Sequence, residues 1–208
     1  MIGVVDYGIG NLTSAKKSLD YLGVASKLIE FEEDFKDVDG IILPGVGAFG
    51  PTMNALDDKG LIGPMLDFIR TGRPYLGICV GMQVLFDSSQ ESPSVSGLGL
   101  IKGNVSELTN VTRLPQMQWN KVIPNVGFES DRLLVNLGDE FWMYFLHSYS
   151  VHPQDTSVVG ATCEYGGKIV SYINKDNIFA AQFHPEKSSA AGLKFISNFV
   201  DLCKTGDF

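Results

Sequence analysis

The 208-residue sequence predicts an α/β fold with a central, mostly parallel sheet flanked by helices and extended by further antiparallel strands. Two observations in the first two-thirds of the chain predict the parallel part: short, wholly apolar runs, and segments of helical periodicity between them. A third observation predicts the extension. Beyond residue 97 the pattern changes to short strand-like segments separated by turn residues.

Taken in order, residues 2–6 are a buried strand. Leu12, Ala15, Leu19 and Leu22 then repeat at helical spacing until Gly23 stops them. Residues 40–43 form a second buried strand, ended by Pro44. Ile62, Met65, Leu66 and Ile69 mark an amphipathic helix closed by Gly72, and residues 74–78 are the next strand. A helix-like run, Met82-Gln83-Val84-Leu85-Phe86, follows, and the polar stretch 88–97 reads as a surface loop. Strand-like segments come at 105–108, 122–124, 141–145, 158–163, 169–173 and 179–183. Leu193, Ile196, Val200 and Cys203 form the apolar face of a last helix. There is no internal repeat, low-complexity tract or linker, so residues 1–208 read as a single domain.

Composition narrows the function classes. Apolar residues are 44% and charged residues 19%, which supports a sizeable core and argues against disorder. The net charge of −8 argues against nucleic acid as a main partner. No apolar run approaches a membrane span, and the start of the sequence has neither the basic residues nor the cleavage site of a targeting signal. The cysteines are Cys79, Cys163 and Cys203. An odd, sparse count fits a reducing cytoplasm better than a disulfide framework.

The chemistry starts at Gly77-Ile78-Cys79-Val80-Gly81, between a strand and a helix-like run. This is the nucleophile-elbow pattern with cysteine in place of serine. A sharp strand-to-helix turn crowds the nucleophile, and flanking glycines relieve the clashes. A sulfur at a helix N-terminus gains from the partial positive charge there, and the N–H of Val80 points to where an oxyanion would form. Cys163 and Cys203 lack this context and read as core residues.

Of the three histidines, His184 directly follows the strand 179–183 and precedes Pro185 and Glu186. A strand end can bring it over the same sheet edge as the elbow, and Glu186 can fold back to orient the imidazole. His147, at the end of another strand-like run, competes for a place in the site. His152 reads as a loop residue. The histidines and cysteines show no zinc-type pairing, so no metal is expected, and no cofactor.

Leu43-Pro44-Gly45-Val46-Gly47-Ala48-Phe49-Gly50 is a second glycine-rich loop after a strand. It lacks the lysine of a P-loop and the spacing of a dinucleotide fingerprint, whereas exposed N–H groups serve an oxyanion equally well. Pro44-Gly45-Val46-Gly47, Leu76-Gly77-Ile78-Cys79-Val80-Gly81-Met82-Gln83 and His184-Pro185-Glu186-Lys187-Ser188 together resemble the class I (triad) glutamine amidotransferases, in order and spacing, from end to end. That resemblance implies a flavodoxin-like sheet and a glutaminase that hydrolyses L-glutamine to glutamate and ammonia through a cysteine thioester. It implies Cys79 as nucleophile, His184 as acid and base, and Glu186 as its orienter. Val46 and Val80 would supply oxyanion N–H groups, while Gly47, Gln83, Ser148 and Tyr149 would hold the substrate.

Within the family, the segment from Asp6 to Leu12, the Lys187-Ser188 pair, and Met117 with Trp119-Asn120 resemble the glutaminase subunits that serve imidazole glycerol phosphate synthase in histidine biosynthesis. The implied partner is a synthase subunit, the cyclase, in a heterodimer that channels the ammonia. Asn11, Trp119, Asn120 and Lys187 would face it. Three departures stand near that face: Gln118 in place of the usual glycine, Ser189 in place of glutamine, and Thr13 where arginine is common. They leave open a paralogue that feeds another acceptor, such as an enzyme aminating a surface-polysaccharide sugar. From other classes, a catalytically dead binding module is opposed by the intact triad, and a cysteine peptidase-like hydrolase by the glutamine-pocket residues. The isolated chain is expected to be slow.

Overall fold

A computed structural model describes residues 1–9, 11–128 and 130–206; Gly10 of the segment from Asp6 to Leu12 lies outside them. The first half runs Ile2–Val5 (β1), Leu12–Tyr21 (α1), Ser26–Ile29 (β2), Gly40–Leu43 (β3), Phe49–Asp58 (α2), Ile62–Arg70 (α3), Tyr75–Ile78 (β4) and the single turn Val80–Gln83 (α4). The second half runs Ser88–Ser89 (β5), Gly103–Glu107 (β6), Gln116–Pro124 (β7), Phe141–His147 (β8), Tyr149–Pro153 (β9), Val159–Glu164 (β10), Lys168–Lys175 (β11), Ile178–Ala181 (β12) and Ser189–Thr205 (α5).

Among the described residues, nine strands form one sheet in the order β2-β1-β3-β4-β12-β11-β10-β7-β8. The strands from β2 to β12 in that order are parallel, and the rest continue antiparallel, as the change of pattern along the sequence predicts. A second, three-stranded sheet, β5-β6-β9, stands beside it. The core lies on both faces of the large sheet. Val4, Ile42, Leu76 and Ile78 pack with Leu19 of α1 and Phe195 and Phe199 of α5. Val5, Ile41, Leu43 and Tyr75 pack on the other face with Leu56 of α2 and Met65 and Phe68 of α3. Successive strand residues thus serve opposite cores, which is why these runs are apolar without alternation.

Two sequence expectations need correction. The run 82–86 is not a helix beyond Gln83. The carbonyls of Val84, Leu85 and Phe86 accept from the N–H groups of Leu98, Ile101 and Gly99, so the incoming segment takes the bonds that would have continued the helix. The stretch 88–97 is not merely a surface loop. It contains β5, buries Ser89, and bonds the start of α2: Phe49 N donates to Glu91 Oε2 at 2.7 Å and Gly50 N to Ser92 Oγ at 3.1 Å. β2, α2 and β9 have no counterpart in the sequence pattern.

Candidate active site

β3, β4 and β12 are neighbours and parallel, so their carboxyl ends open on one edge of the sheet. Each delivers one part of a site: the loop 44–47, Cys79, and His184. β8 reaches the same place from the antiparallel half. Its Leu146 carbonyl accepts from the Cys79 thiol at 3.7 Å, and its Tyr144 carbonyl accepts from His184 N at 2.9 Å.

Cys79 has φ +54°, a left-handed conformation that costs a side-chain residue on the order of 1–3 kcal/mol. The neighbouring glycines allow it by steric necessity. A Cβ on Gly77 would stand 2.4 Å from the Gly81 carbonyl oxygen, and one on Gly81 would stand 2.2 Å from the Leu43 carbonyl oxygen. The second approach presses the elbow against the loop that follows β3. Two buried phenols hold this contact: Tyr75 Oη donates to Gly81 O at 2.7 Å and Tyr7 Oη to Pro44 O at 3.0 Å. Burial raises both phenols, Tyr7 to about 12, so both remain donors. The N–H of Val80 opens α4 and has no acceptor within that turn. A single turn carries little macrodipole, so the anion-stabilising elements here are local N–H groups rather than a long helix.

His184 Nδ1 lies 2.8 Å from Glu186 Oε1, with side-chain exposures of 1% and 3%. Burial works to lower the imidazole pKa, but the adjacent Cys79 sulfur and the Glu186 carboxylate outweigh it and push it up to about 10. His184 Nε2 and Glu186 Oε2 have no hydrogen-bond partner among the described residues. The turn is locked from behind. Ser188 Oγ donates to His184 O at 2.6 Å and accepts from Tyr144 N at 2.9 Å.

A cleft of about 210 Å³ opens over the sulfur, lined by Cys79, Val46, Gly47, Gln83, Ser148 and Tyr149, all singled out in the sequence. Gln83 Nε2 donates to the Tyr149 carbonyl at 3.1 Å. Pro115, Leu146, Glu91 and His147 complete the lining; the sequence pattern gives the first three no role there, whereas it brings His147 forward as a competitor for a place in the site. Glu91 is an acidic group in the cleft wall, and its only sequence signal was an acidic residue in a polar stretch. His147 is buried, with Nδ1 2.8 Å from the Tyr149 carbonyl. Burial is the main reason its pKa falls to about 4, helped by the charge of His184, so it is neutral at pH 7 and presents a bare Nε2. His152 lies on β9 rather than in a loop and is exposed.

The four residues assigned to a partner face behave differently. Trp119 is 45% exposed and packs edge-on to Tyr144. Lys187 is half-buried in the turn Pro185–Lys187. Asn11 caps α1, accepting from Ser14 N at 3.3 Å, and Asn120 Nδ2 donates to the Glu164 carbonyl at 2.9 Å. Cys163 and Cys203 are buried, and burial raises both thiols. Among the described residues no group of His, Cys, Asp and Glu could hold a metal ion, and no helix is long and apolar enough to cross a membrane.

Residues 3–202 match the family model for glutamine amidotransferase class-I. Proteins named imidazole glycerol phosphate synthase subunit HisH are similar along nearly the whole chain. The one from Methanocaldococcus jannaschii is 44% identical, covering 97% of this chain and 100% of its own. That from Desulfitobacterium hafniense is 43% identical, covering 96% and 93%. That from Bacillus subtilis is 39% identical, covering 97% and 96%. Among solved structures, one described as a glutamine amidotransferase superposes with a TM-score of 0.77 at 18% identity, covering 98% of this chain and 99% of its own. PurLQS from Thermotoga maritima superposes with a TM-score of 0.75 at 19% identity, covering 96% and 97%. These two likenesses concern the fold alone.

Proposed function

This chain belongs to the class I glutamine amidotransferases, and from that premise we propose that it is the glutaminase subunit of an imidazole glycerol phosphate synthase, acting in histidine biosynthesis. The observation that carries the chemistry is the almost fully buried His184–Glu186 pair beside a sulfur held at positive φ. Relatives that are 39% to 44% identical over nearly the full length carry the pathway. The surface-sugar alternative has no comparable support.

The reaction follows from the groups present. Cys79 thiolate attacks the side-chain amide carbon of glutamine. The N–H groups of Val46 and Val80 receive the oxyanion, each worth about 3 kcal/mol in comparable sites. His184, held protonated by its neighbours, gives its proton to the leaving nitrogen, the C–N bond breaks and ammonia departs. Water, deprotonated by the same imidazole, then hydrolyses the thioester to glutamate and restores the thiolate. Gly47, Ser148 and Tyr149 bound the head group. Glu91 supplies the negative charge an α-ammonium needs.

Ammonia must reach its acceptor unprotonated, which favours a sealed route into a partner subunit. The outer face of the β7–β8 pair fits such a partner. Met117, Trp119 and Trp142 are exposed there, with Tyr144 beside them. Thr13, Gln118 and Ser189, the three departures from the family pattern, are also exposed. β8 bonds through its backbone to both His184 and Cys79, so a partner seated on its outer face has a short mechanical route to the triad. Glutamate release by the full chain, measured with and without the co-purified cyclase and its ligand, tests the proposal. Cys79→Ala is expected to abolish release, and retained release would sink the reading.

A further inference from the structure

We propose that Gln182 is a further catalytic residue, which donates a hydrogen bond to the Cys79 sulfur and stabilises it as thiolate. The proposal rests on the glutaminase reading for its purpose but not for its evidence.

Gln182 is fully buried, and it is the polar residue that follows the apolar strand β12, two places before His184. Its Nε2 lies 3.6 Å from Cys79 Sγ, within reach for a sulfur acceptor. The side-chain amide could in principle be turned about, which would place an oxygen against the sulfur, so its polarity has to be argued. The neighbours decide it. The Tyr149 carbonyl can only accept, so the atom of Gln83 3.1 Å from it is Nε2. That same nitrogen lies 3.2 Å from the other end of the Gln182 amide, which must therefore be the oxygen. The Gln182 NH₂ is left facing the sulfur.

The result is a directed chain: Gln83 donates to the Tyr149 carbonyl and to Gln182, and Gln182 donates to Cys79. The sulfur thus meets two unlike partners. The Leu146 carbonyl, 3.7 Å away, accepts from the neutral thiol, whereas the Gln182 N–H bonds most strongly to the thiolate. Held by its own bond to Gln83, the donor is fixed in advance and needs no reorganisation when the thiolate is regenerated at the end of each turnover. The chain also begins on Gln83, which lines the substrate cleft, so it links occupation of the cleft to the sulfur.

The test reads the sulfur alone. Alkylation of Cys79 by iodoacetamide is followed against pH in the full chain, without glutamine, for the native protein, Gln182→Met and Gln182→Glu. Met keeps the shape without the donor; Glu keeps the volume and sets a carboxylate against the sulfur. The pH of half-maximal alkylation is expected to rise by about one unit in Gln182→Met, the order of a charge-assisted hydrogen bond, and further in Gln182→Glu. In the native chain, the Gln182 side-chain amide resonance is expected to shift with the same midpoint as alkylation. Should a folded variant alkylate with the native midpoint, or the amide resonance fail to follow it, the assignment falls. A chain that lacks glutaminase activity but shows these shifts would fail the functional reading and leave this one standing.

Discussion

His184 Nδ1 and Glu186 Oε1 lie 2.8 Å apart, two residues from each other in sequence, with both side chains almost wholly out of water. A carboxylate so placed fixes the tautomer of the ring and stabilises it when protonated. Glu186→Gln keeps the volume and removes the charge. It is expected to lower kcat for glutamate release by about 100-fold or more while changing KM little. Steady-state kinetics on the complex checks this, and a native kcat would show the pair to be structural.

The same pair shapes stability against pH. The His184 pKa is pushed from an ordinary value near 6.5 to about 10. Such a group adds stability that is complete below about 6.5 and is lost as pH rises through the folded value. Resistance to denaturant is therefore expected to fall steadily from pH 6.5 to 10. The slope should shrink in Cys79→Ala and Glu186→Gln, which remove the charges that raise the pKa.

His147 works in the other direction. Its pKa falls to about 4, chiefly through burial, so it contributes stability above about 6.5 that is lost as pH falls towards 4. His147→Leu cannot take up a proton and should flatten this acid limb. An unchanged limb between pH 6.5 and 4 would assign the acid loss to other groups.

The closeness of Gly81 to the Leu43 carbonyl, 2.2 Å from a hypothetical Cβ, leaves no flexible atom to yield. Gly81→Ala must separate the elbow from the loop 44–47, at a cost of about 1–3 kcal/mol in stability. Turnover should fall by much more than this implies, because Val46 and Val80 lie on opposite sides of the seam. Chemical denaturation and kcat measured on one preparation separate the two effects.

Much of this site was legible because it is written in local chemistry. The glycines around Cys79 and the Pro-Glu after His184 are demanded by turns only a few residues long. The inner parallel strands β1, β3, β4 and β12 were equally plain, since they are buried on both faces, whereas the half-exposed edge strand β2 was not. What stayed hidden depends on distant partners. The run 82–86 has the composition of a helix, and only the arrival of Leu98, Gly99 and Ile101 ends it. Glu91 looked like any charge in a polar stretch, because its duty is to a cleft assembled from other segments. Gln182 did leave a trace: a glutamine beside an apolar strand, two residues ahead of the candidate base. Its partners lie 99 and 103 residues away, beyond any pattern of period two or 3.6.

The last expectation concerns the face of β7 and β8. Trp119 is 45% and Met117 64% exposed on a sheet edge, where Trp142 is 54% exposed as well. Aromatic side chains grouped on a flat strand pair are the usual anchors of a protein interface. Asn11 and Asn120 are already bonded within the chain, so Trp119 should carry more of the binding than either. Trp119→Ala is expected to weaken association with the cyclase by about tenfold or more, read by calorimetric titration. Phe31, 66% exposed just beyond β2 at the opposite edge of the sheet, provides the control. Phe31→Ser should bind as the native chain does. The reverse pattern would move the partner to the other end of the molecule and remove the route from partner to triad through β8.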